Sequence, residues 1–322
     1  MNKIKQILQN RKVSTYVGIL LVLILVIIGA ILWLTKSTTN FVYQTENKEV
    51  SIYQGSFRAP SLVAESAIVW DIRGGKAIYQ KNAQAPKPLA SLTKIMTALI
   101  ALERVPQNTT ITIDSNSLEQ EGESGLIAGE KWLLKDLIDF SLIESSNDGI
   151  AAVASAVGAI SLGTPDNRGA GRVSFIEAMN QKARELNLQN MSFSNESGLD
   201  IYNETDAGAM GSAEDVARLF SYFLKEHPNL LEATTYSDLS LQSLNGNFHL
   251  AKNTNEALDR IPALIGSKTG YTDISGGNLA IIIDPGINYP IAIVVMGSTF
   301  EDRFPDMLRL SQATLNYFSS NN

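Results

Sequence analysis

Ser91 and Lys94, in the stretch Ser91-Leu92-Thr93-Lys94, could form a nucleophile and its base. Side chains three residues apart share one face of a helix, so the serine hydroxyl and the lysine amine can meet. A serine hydroxyl needs a base to remove its proton, and the chain has only two histidines. Lysine is the remaining base, provided that burial or another cation lowers its pKa. The same pattern is also typical of a serine that merely caps a helix.

A second candidate group is Ser145-Ser146-Asn147, between two predicted helices. The Ser145 hydroxyl could shuttle a proton, and the Asn147 carboxamide could hold a substrate carbonyl. Clusters of serine and asparagine are also common in plain turns, so this stretch alone predicts little.

A third group is Lys268-Thr269-Gly270, in a predicted strand. Lys268 could place a second cation beside Lys94 and a substrate carboxylate, and two lysines held close cannot both stay comfortably charged. Gly270 would leave room for a ligand's backbone to approach the strand. The alternative is a strand edge with a solvated lysine. The three groups together, in this order along the chain, are a much stronger signal than any one of them.

The composition excludes several other kinds of site. The 322-residue chain has no cysteine, which excludes disulfides, thiolate metal sites and a cysteine nucleophile. Its histidines form no His-Glu-x-x-His pattern, so we expect neither a zinc site nor any other metal or cofactor. The net charge of −7 argues against nucleic-acid binding, which needs basic patches.

The beginning of the chain predicts a single-pass membrane anchor at residues 17–35. Val17 to Leu34 carries no charge and approaches the ~30 Å hydrocarbon core of a bilayer. A cleavable signal peptide is the alternative, but the run is long and has no Ala-x-Ala site. The basic residues before it keep residues 1–16 in the cytoplasm as a tail. Residues 36–60 then form a polar stalk, and residues 61–320 a domain outside the cytoplasm, in a periplasm or on the outer face.

Hydrophobic periodicity predicts an α+β domain, because strands occur near both ends of residues 61–320 with helices between them. The predicted strands are residues 66–71 and 76–79, a hairpin around Arg73-Gly74-Gly75, and residues 279–283 and 291–296, a buried hairpin around Asp284-Pro285-Gly286. The predicted helices are residues 91–104, 132–143, 149–159, 174–186, 212–225 and 302–318. Gly163 to Gly171 is interpreted as a loop, as a disordered excursion rather than a flap that contacts substrate.

The three groups together resemble the signature of the penicillin-recognising serine enzymes. The wider sequence resembles one branch, the low-molecular-mass D-alanyl-D-alanine carboxypeptidases, over roughly residues 61–318. The supporting stretches are Pro88 to Ala98, Leu142 to Asp148, Phe193 to Asp200, Lys268 to Thr272 and Val295 to Arg303. The resemblance implies a β-lactamase-like fold, with a central antiparallel sheet flanked by helices and a mainly helical subdomain.

The resemblance also implies catalytic roles. Ser91 is expected to be the nucleophile and Lys94 the general base. Ser145 would pass a proton to the leaving D-alanine, Asn147 would position the peptide, and Lys268 would tune the site electrostatically.

Substrate-binding roles follow in the same way. Thr269 would bind the terminal carboxylate beside Gly270, and Arg303 matches the second carboxylate-binding position less closely. The backbone N–H groups of Ser91 and Tyr271 would form the oxyanion hole. Tyr271 stands where some relatives have histidine, so the role of its side chain is open.

The expected activity is removal of the terminal D-alanine from peptidoglycan stem peptides, with β-lactam antibiotics as inhibitors. The alternative is an endopeptidase that cuts peptide cross-links. A β-lactamase is disfavoured because Ala183 stands where the common type has the glutamate of its Glu-x-x-Leu-Asn element. A non-enzymatic wall-binding module is disfavoured because every motif residue is present. Many relatives carry a β-rich domain after the catalytic domain, whereas this chain is expected to lack one and to be anchored at its N-terminus.

Overall fold

The computed structural model describes residues 56–201, 206–286 and 288–320. The predicted tail and anchor, and the predicted stalk as far as residue 55, lie outside the described residues. Among the described residues, no helix combines the length and the apolar character needed to cross a bilayer.

The helices and strands alternate irregularly along the chain. The α-helices of the described residues are α1 (Lys94–Arg104), α2 (Leu134–Ile143), α3 (Asn147–Ser161), α4 (Arg168–Glu185), α5 (Ala213–Glu226) and α6 (Arg303–Ser319). The strands are β1 (Ser66–Asp71), β2 (Lys76–Lys81), β3 (Lys87–Pro88), β4 (Thr110–Thr112), β5 (Lys131–Leu133), β6 (Ser192–Phe193), β7 (Ala209–Gly211), β8 (Asp238–Gln242), β9 (Phe248–Lys252), β10 (Leu264–Thr272), β11 (Gly276–Ile283) and β12 (Ile291–Ser298). A short 3-10 helix, Ala90–Thr93, leads directly into α1.

The main sheet is antiparallel and has the order β10-β11-β12-β1-β2, so it joins the two ends of the domain as predicted. Strand β1 pairs with β12, with Ser66 opposite Met296. Alternate residues of the inner strands, such as Ile282 and Val294, join the core formed with helices α1 to α5. Their neighbours lie on the opposite face, against which α6 packs. The predicted α+β class is therefore confirmed, and β10 is left as an edge strand.

The helical part of the domain surrounds α1, in which every residue from Lys94 to Ala101 is buried. Helices α3 and α4 pack in close contact beside it, at a crossing of two glycines. A Cβ atom added to Gly158 would lie 1.9 Å from the carbonyl oxygen of Gly171. Only glycine at these positions lets the two backbones approach this closely.

Two predicted boundaries are wrong. The loop predicted for residues 163–171 ends early, because α4 begins at Arg168 and the Asn167 side chain accepts a hydrogen bond from the Ala170 N–H at 3.1 Å. Gly171 there serves helix packing, because a Cβ atom at this position would lie 2.3 Å from the Ala159 nitrogen. The helix predicted from Trp132 begins only at Leu134, because residues 131–133 pair with β4. A short buried strand followed by a buried helix shows no change in hydrophobic pattern.

Candidate active site

Ser91 and Lys94 meet at the start of α1. Ala90 adopts a positive φ of 47°, so the chain turns sharply after β3 and presents Ser91 at the first turn. The Lys94 Nζ lies 2.7 Å from the Ser91 Oγ, 2.7 Å from the Asn147 Oδ1 and 3.1 Å from the Ser197 carbonyl oxygen. The predicted serine–lysine contact is therefore present, and two further acceptors fix the amine.

Lys94 has the properties of a base. Its side chain has no solvent exposure, and this burial lowers its pKa to about 7, although the carboxylate of Glu196 opposes the shift. A neutral amine has two protons and one lone pair. It can donate to the Asn147 and Ser197 oxygens and still accept the Ser91 hydroxyl proton.

Ser145 and Lys268 form a second pair. The Lys268 Nζ donates to the Ser145 Oγ at 2.8 Å and to the Thr269 carbonyl oxygen at 3.0 Å. Burial lowers the pKa of Lys268 well below its ordinary value, and the charges of Lys94 and Arg303 lower it further. Of the two expected causes, burial and a neighbouring cation, burial has the larger effect on the pKa of Lys268 and is the one that lowers the pKa of Lys94. Ser145 has a positive φ of 61°, a conformation uncommon for residues other than glycine.

Asn147 connects Lys94 to the loop before β5. It opens α3, which is capped by the Ser146 hydroxyl accepting from the Gly149 N–H at 3.0 Å. The Asn147 Nδ2 donates to the Glu121 carbonyl oxygen at 2.7 Å. Because the carboxamide donates on one side and accepts on the other, its Oδ1 is directed toward Lys94.

Gly270 has a structural role in addition to the one predicted. A Cβ atom at this position would lie 3.0 Å from the Leu89 carbonyl oxygen and 3.1 Å from the Ser91 nitrogen. The missing side chain thus leaves room for the chain's own nucleophile turn as well as for a ligand. Asn278, which the sequence analysis missed, holds the same turn: its Nδ2 donates to the Pro88 and Leu89 carbonyl oxygens at 2.9 and 3.2 Å. In the sequence, the only indication of this role is a carboxamide side chain next to an apolar predicted strand.

The free edge of β10 faces this turn. The Ser267 N–H donates to the Thr234 Oγ1 at 2.9 Å, away from β11. Backbone N–H groups alternate along a strand, so those of Thr269 and Tyr271 lie on the same free edge. The Tyr271 side chain is at the rim, where its ring packs edge-on against Phe300 at 5.0 Å. The geometry is therefore compatible with the predicted pair of N–H donors at Ser91 and Tyr271.

Arg303 carries a buried positive charge into the cleft. It lies in the first turn of α6 with 4% exposure, and burial lowers the pKa of its guanidinium. Its carbon Cζ lies 4.2 Å from the centre of the Phe300 ring. Within the described part of the chain, its Nε and one terminal nitrogen are buried and have no hydrogen-bond partner. Nearby, the Thr269 and Thr254 hydroxyls lie 2.6 Å apart.

The predicted site residues gather in one cleft of about 430 Å³. Its lining includes the predicted residues Ser91, Ser145, Asn147, Thr269, Gly270, Tyr271 and Arg303. Lys94 and Lys268 lie beneath this lining, in contact with Ser91 and Ser145. Two carboxylates, Glu121 and Glu256, lie at the open rim. The cleft therefore offers a serine–lysine pair, a second buried lysine and a guanidinium that forms no salt bridge with any residue the structure describes.

Comparisons with known proteins agree with this geometry. Residues 54–299 match the sequence profile of the family described as D-alanyl-D-alanine carboxypeptidase. The carboxypeptidase DacF of Bacillus subtilis is 30% identical over 74% of this chain, which spans 59% of the length of DacF. The D-alanyl-D-alanine endopeptidase of Escherichia coli is 29% identical over 74% of this chain and 72% of its own.

Solved structures give the same result. The D-alanyl-D-alanine carboxypeptidase of Mycobacterium tuberculosis has a TM-score of 0.70 and 25% identity, over 84% of this chain and 96% of its own. Penicillin-binding protein D2 of Listeria monocytogenes, with cefotaxime bound, has a TM-score of 0.64 and 27% identity, over 80% and 98%. The resemblance predicted from the three motifs is confirmed, and the chain belongs to the D-alanyl-D-alanine carboxypeptidase family of serine peptidases.

Proposed function

We propose that this chain is a serine-type D-Ala-D-Ala carboxypeptidase that removes the terminal D-alanine from peptidoglycan stem peptides. The observation that carries the proposal is the 2.7 Å contact between the Ser91 Oγ and the Lys94 Nζ, a buried amine with a pKa of about 7. An amine of this pKa is partly neutral near pH 7, so it can remove the serine proton there.

In the first step, the Ser91 oxygen attacks the carbonyl carbon between the two D-alanines while its proton passes to Lys94. Negative charge develops on the carbonyl oxygen, and we assign its stabilisation to the backbone N–H groups of Ser91 and Tyr271. Asn147 holds the peptide and the Lys94 amine in line. The product of this step is a tetrahedral intermediate bonded to Ser91.

In the second step, the carbon–nitrogen bond breaks and the leaving amine of D-alanine takes a proton. We assign this transfer to the Ser145 hydroxyl, which is replenished through its contact with Lys268 and finally by the proton held on Lys94. Water then attacks the resulting ester, one of its protons returns to the Ser91 oxygen and the other is released to solvent, and the shortened peptide leaves with a new carboxylate. The proton count closes, so the enzyme is regenerated.

Arg303 and Thr269 are the proposed site for the terminal carboxylate. The unpartnered guanidinium nitrogens of Arg303 need an anionic partner, because a buried charge without one is costly. Thr269 offers a hydroxyl on the same side of the cleft. A β-lactam carries a carboxylate at the equivalent place, and structures of Listeria penicillin-binding protein D2 hold cefotaxime and ampicillin. We therefore propose that β-lactams acylate Ser91 and remain attached.

The second candidate is an endopeptidase that cuts cross-links. Proteins named D-alanyl-D-alanine endopeptidase from Escherichia coli and Pseudomonas aeruginosa are 29% and 28% identical to this chain. Incubation with a D-Ala-D-Ala pentapeptide and with a cross-linked dimer separates the two activities. Release of free D-alanine supports the carboxypeptidase, whereas conversion of dimer to monomers without it supports the endopeptidase.

We also propose that residues 17–35 anchor the protein in the cell membrane, with residues 1–16 in the cytoplasm, residues 36–60 as a stalk and residues 61–320 outside. The absence of charge from Val17 to Leu34 supports the membrane span. The basic residues before it support a cytoplasmic N-terminus. The mass of the mature N-terminus tests whether the anchor is retained. A main domain that stays protected from protease after the layers outside the cell membrane are removed, and is cut only when that membrane is broken, would contradict the proposal.

Fluorescent penicillin tests the proposed nucleophile directly. Full-length Ser91→Ala protein in detergent is expected to lose labelling, and Lys94→Ala to label slower by orders of magnitude. Ser237→Ala, which removes an exposed serine hydroxyl, is the matched control and is expected to label normally. Stoichiometric labelling of the Ser91→Ala protein would end the assignment.

A further inference from the structure

An ion pair between Arg172 and Glu196 lies behind the catalytic lysine. The Glu196 side chain has no solvent exposure. The Arg172 Nε lies 2.9 Å from its Oε2, and a terminal nitrogen of Arg172 lies 2.9 Å from its Oε1. The Nε contact is a hydrogen bond, whereas the contact with Oε1 is an ion pair without hydrogen-bond geometry, so one carboxylate oxygen carries the hydrogen bond. The roles proposed above for the cleft residues do not involve this pair.

The backbone of Glu196 is fixed against the face of α1 that carries Lys94. Thr97, one turn after Lys94, donates its hydroxyl proton to the Glu196 carbonyl oxygen at 2.6 Å. Lys94 itself donates to the next carbonyl oxygen, that of Ser197, at 3.1 Å. A buried carboxylate therefore lies close to the amine, and its negative charge raises the pKa of Lys94 against the effect of burial.

Arg172 reaches this carboxylate because α4 lies close to α3. The backbone contact between Gly158 and Gly171 brings the first turns of α4 inward, and Arg172 is the next residue. The remainder of the Arg172 side chain is partly open, with 38% exposure. The packing of α3 against α4 thus places the Arg172 guanidinium beside the Glu196 carboxylate, which solvent does not reach.

The other charged groups around Lys94 do not neutralise Glu196. Lys268 on β10 and Arg303 on α6 are cations on the cleft side of the lysine. The carboxylates of Glu121 and Glu256 lie at the exposed rim, where water screens them. From α3, the neutral Asn147 contacts Lys94, and the buried Asp148 accepts a hydrogen bond from the Ser124 hydroxyl at 2.8 Å.

We propose that Arg172 is a positioning residue for catalysis, which holds Glu196 as a neutral pair so that Lys94 can lose its proton and act as the base. The inference rests on the proposed function, since it needs Lys94 to be that base. Without the guanidinium, the carboxylate would take the Lys94 ammonium as its partner. With the guanidinium in place, the carboxylate already has a cation beside it.

The charges predict opposite effects for two single substitutions. Arg172→Gln removes the positive partner, so the pH below which acylation slows is expected to rise by about one unit. Glu196→Gln removes the negative charge, so the same pH limit is expected to fall by a similar amount. The double variant restores neutrality, and its limit is expected to return close to that of the wild type. Arg172→Lys keeps the charge and is expected to rescue most of the shift.

The experiment measures the acylation rate of full-length protein in detergent by fluorescent penicillin as a function of pH. The wild type is expected to lose rate below about pH 7, the pKa of Lys94. Arg184→Gln removes an exposed charge from the same helix and is the matched control, with no shift expected. Opposite shifts that cancel in the double variant support the proposal.

Other outcomes are distinguishable. Single variants that are slower at every pH, with an unmoved limit, would show a merely structural ion pair and overturn the inference. If the Arg172→Gln protein does not fold, the Glu196→Gln and Arg172→Lys proteins provide the test. If the pH below which acylation slows is unchanged in the Glu196→Gln protein, the inference is overturned. A wild-type protein that no penicillin acylates would instead remove the proposed function.

Discussion

Substitution of Gly270 by alanine tests how the nucleophile is held. The added Cβ atom would lie 3.0 Å from the Leu89 carbonyl oxygen, 3.1 Å from the Ser91 nitrogen and 3.2 Å from the Ala90 Cβ. Carbon contacts prefer ~3.5–4.0 Å, so the turn must move away from β10 by about 0.4 Å. This movement separates Ser91 from the edge of β10, where the Tyr271 N–H lies.

The expected effect is larger on rate than on stability. A misplacement of ~1 Å in a catalytic site costs about 10²-fold, so about 0.4 Å is expected to slow acylation roughly five- to tenfold. Removing a glycine from a strand gains about 0.5–1 kcal/mol, which offsets part of the ~1–3 kcal/mol of packing strain. A net loss of about 1–2 kcal/mol corresponds to a fall in melting temperature of only about 2–8 °C.

The assay combines acylation by fluorescent penicillin with thermal unfolding of the same full-length preparation. Gly169→Ala is the matched control, because a Cβ atom there meets nothing within 4 Å. Wild-type acylation by the Gly270→Ala protein would refute the reasoning, since it would show that the turn and the strand need not stay in contact. A collapse in melting temperature with proportional loss of active protein would refute it too.

Three other substitutions or conditions have definite expected outcomes. Acylation is expected to fall about tenfold for each pH unit below about 7, because Lys94 acts only when unprotonated; a rate that rises toward acid would contradict this. Glu130→Ala removes the buried carboxylate that holds His249 of β9 at 2.9 Å, and should cost about 2–3 kcal/mol in urea unfolding. Gly158→Ala places a Cβ atom 1.9 Å from the Gly171 carbonyl oxygen and should cost about 3 kcal/mol or more by the same measurement.

The sequence predicts those parts of the fold that repeat a hydrophobic pattern. The strands at residues 66–71 and 291–296 are apolar and β-branched, and both lie in the central sheet. Elements of two or three residues, such as β4 and β5, have no period to detect. The hairpin of β8 and β9 was also missed, because exposed Phe248 and Leu250 make its pattern weak. Its position depends instead on contacts distant in sequence, such as the one between Glu130 and His249.

The sequence predicts only those site residues that belong to the three motifs. The three groups name Ser91, Ser145 and Lys268, and the structure brings all three to one cleft. What the motifs do not predict is the set of residues that hold them. Asn278 and Glu196 belong to no pattern, because they act through single hydrogen bonds or ion pairs to segments far away in sequence.

The charges of the cleft connect base catalysis with substrate binding. Lys94, Lys268 and Arg303 are buried basic side chains, and Glu196, the buried carboxylate whose charge acts on Lys94, is paired with Arg172. Three buried positive charges close together are costly, and this cost favours loss of a proton from a lysine. An incoming carboxylate relieves the same strain at Arg303. A substrate amide without a terminal carboxylate should therefore bind more weakly, and methyl esters of the peptide provide that comparison.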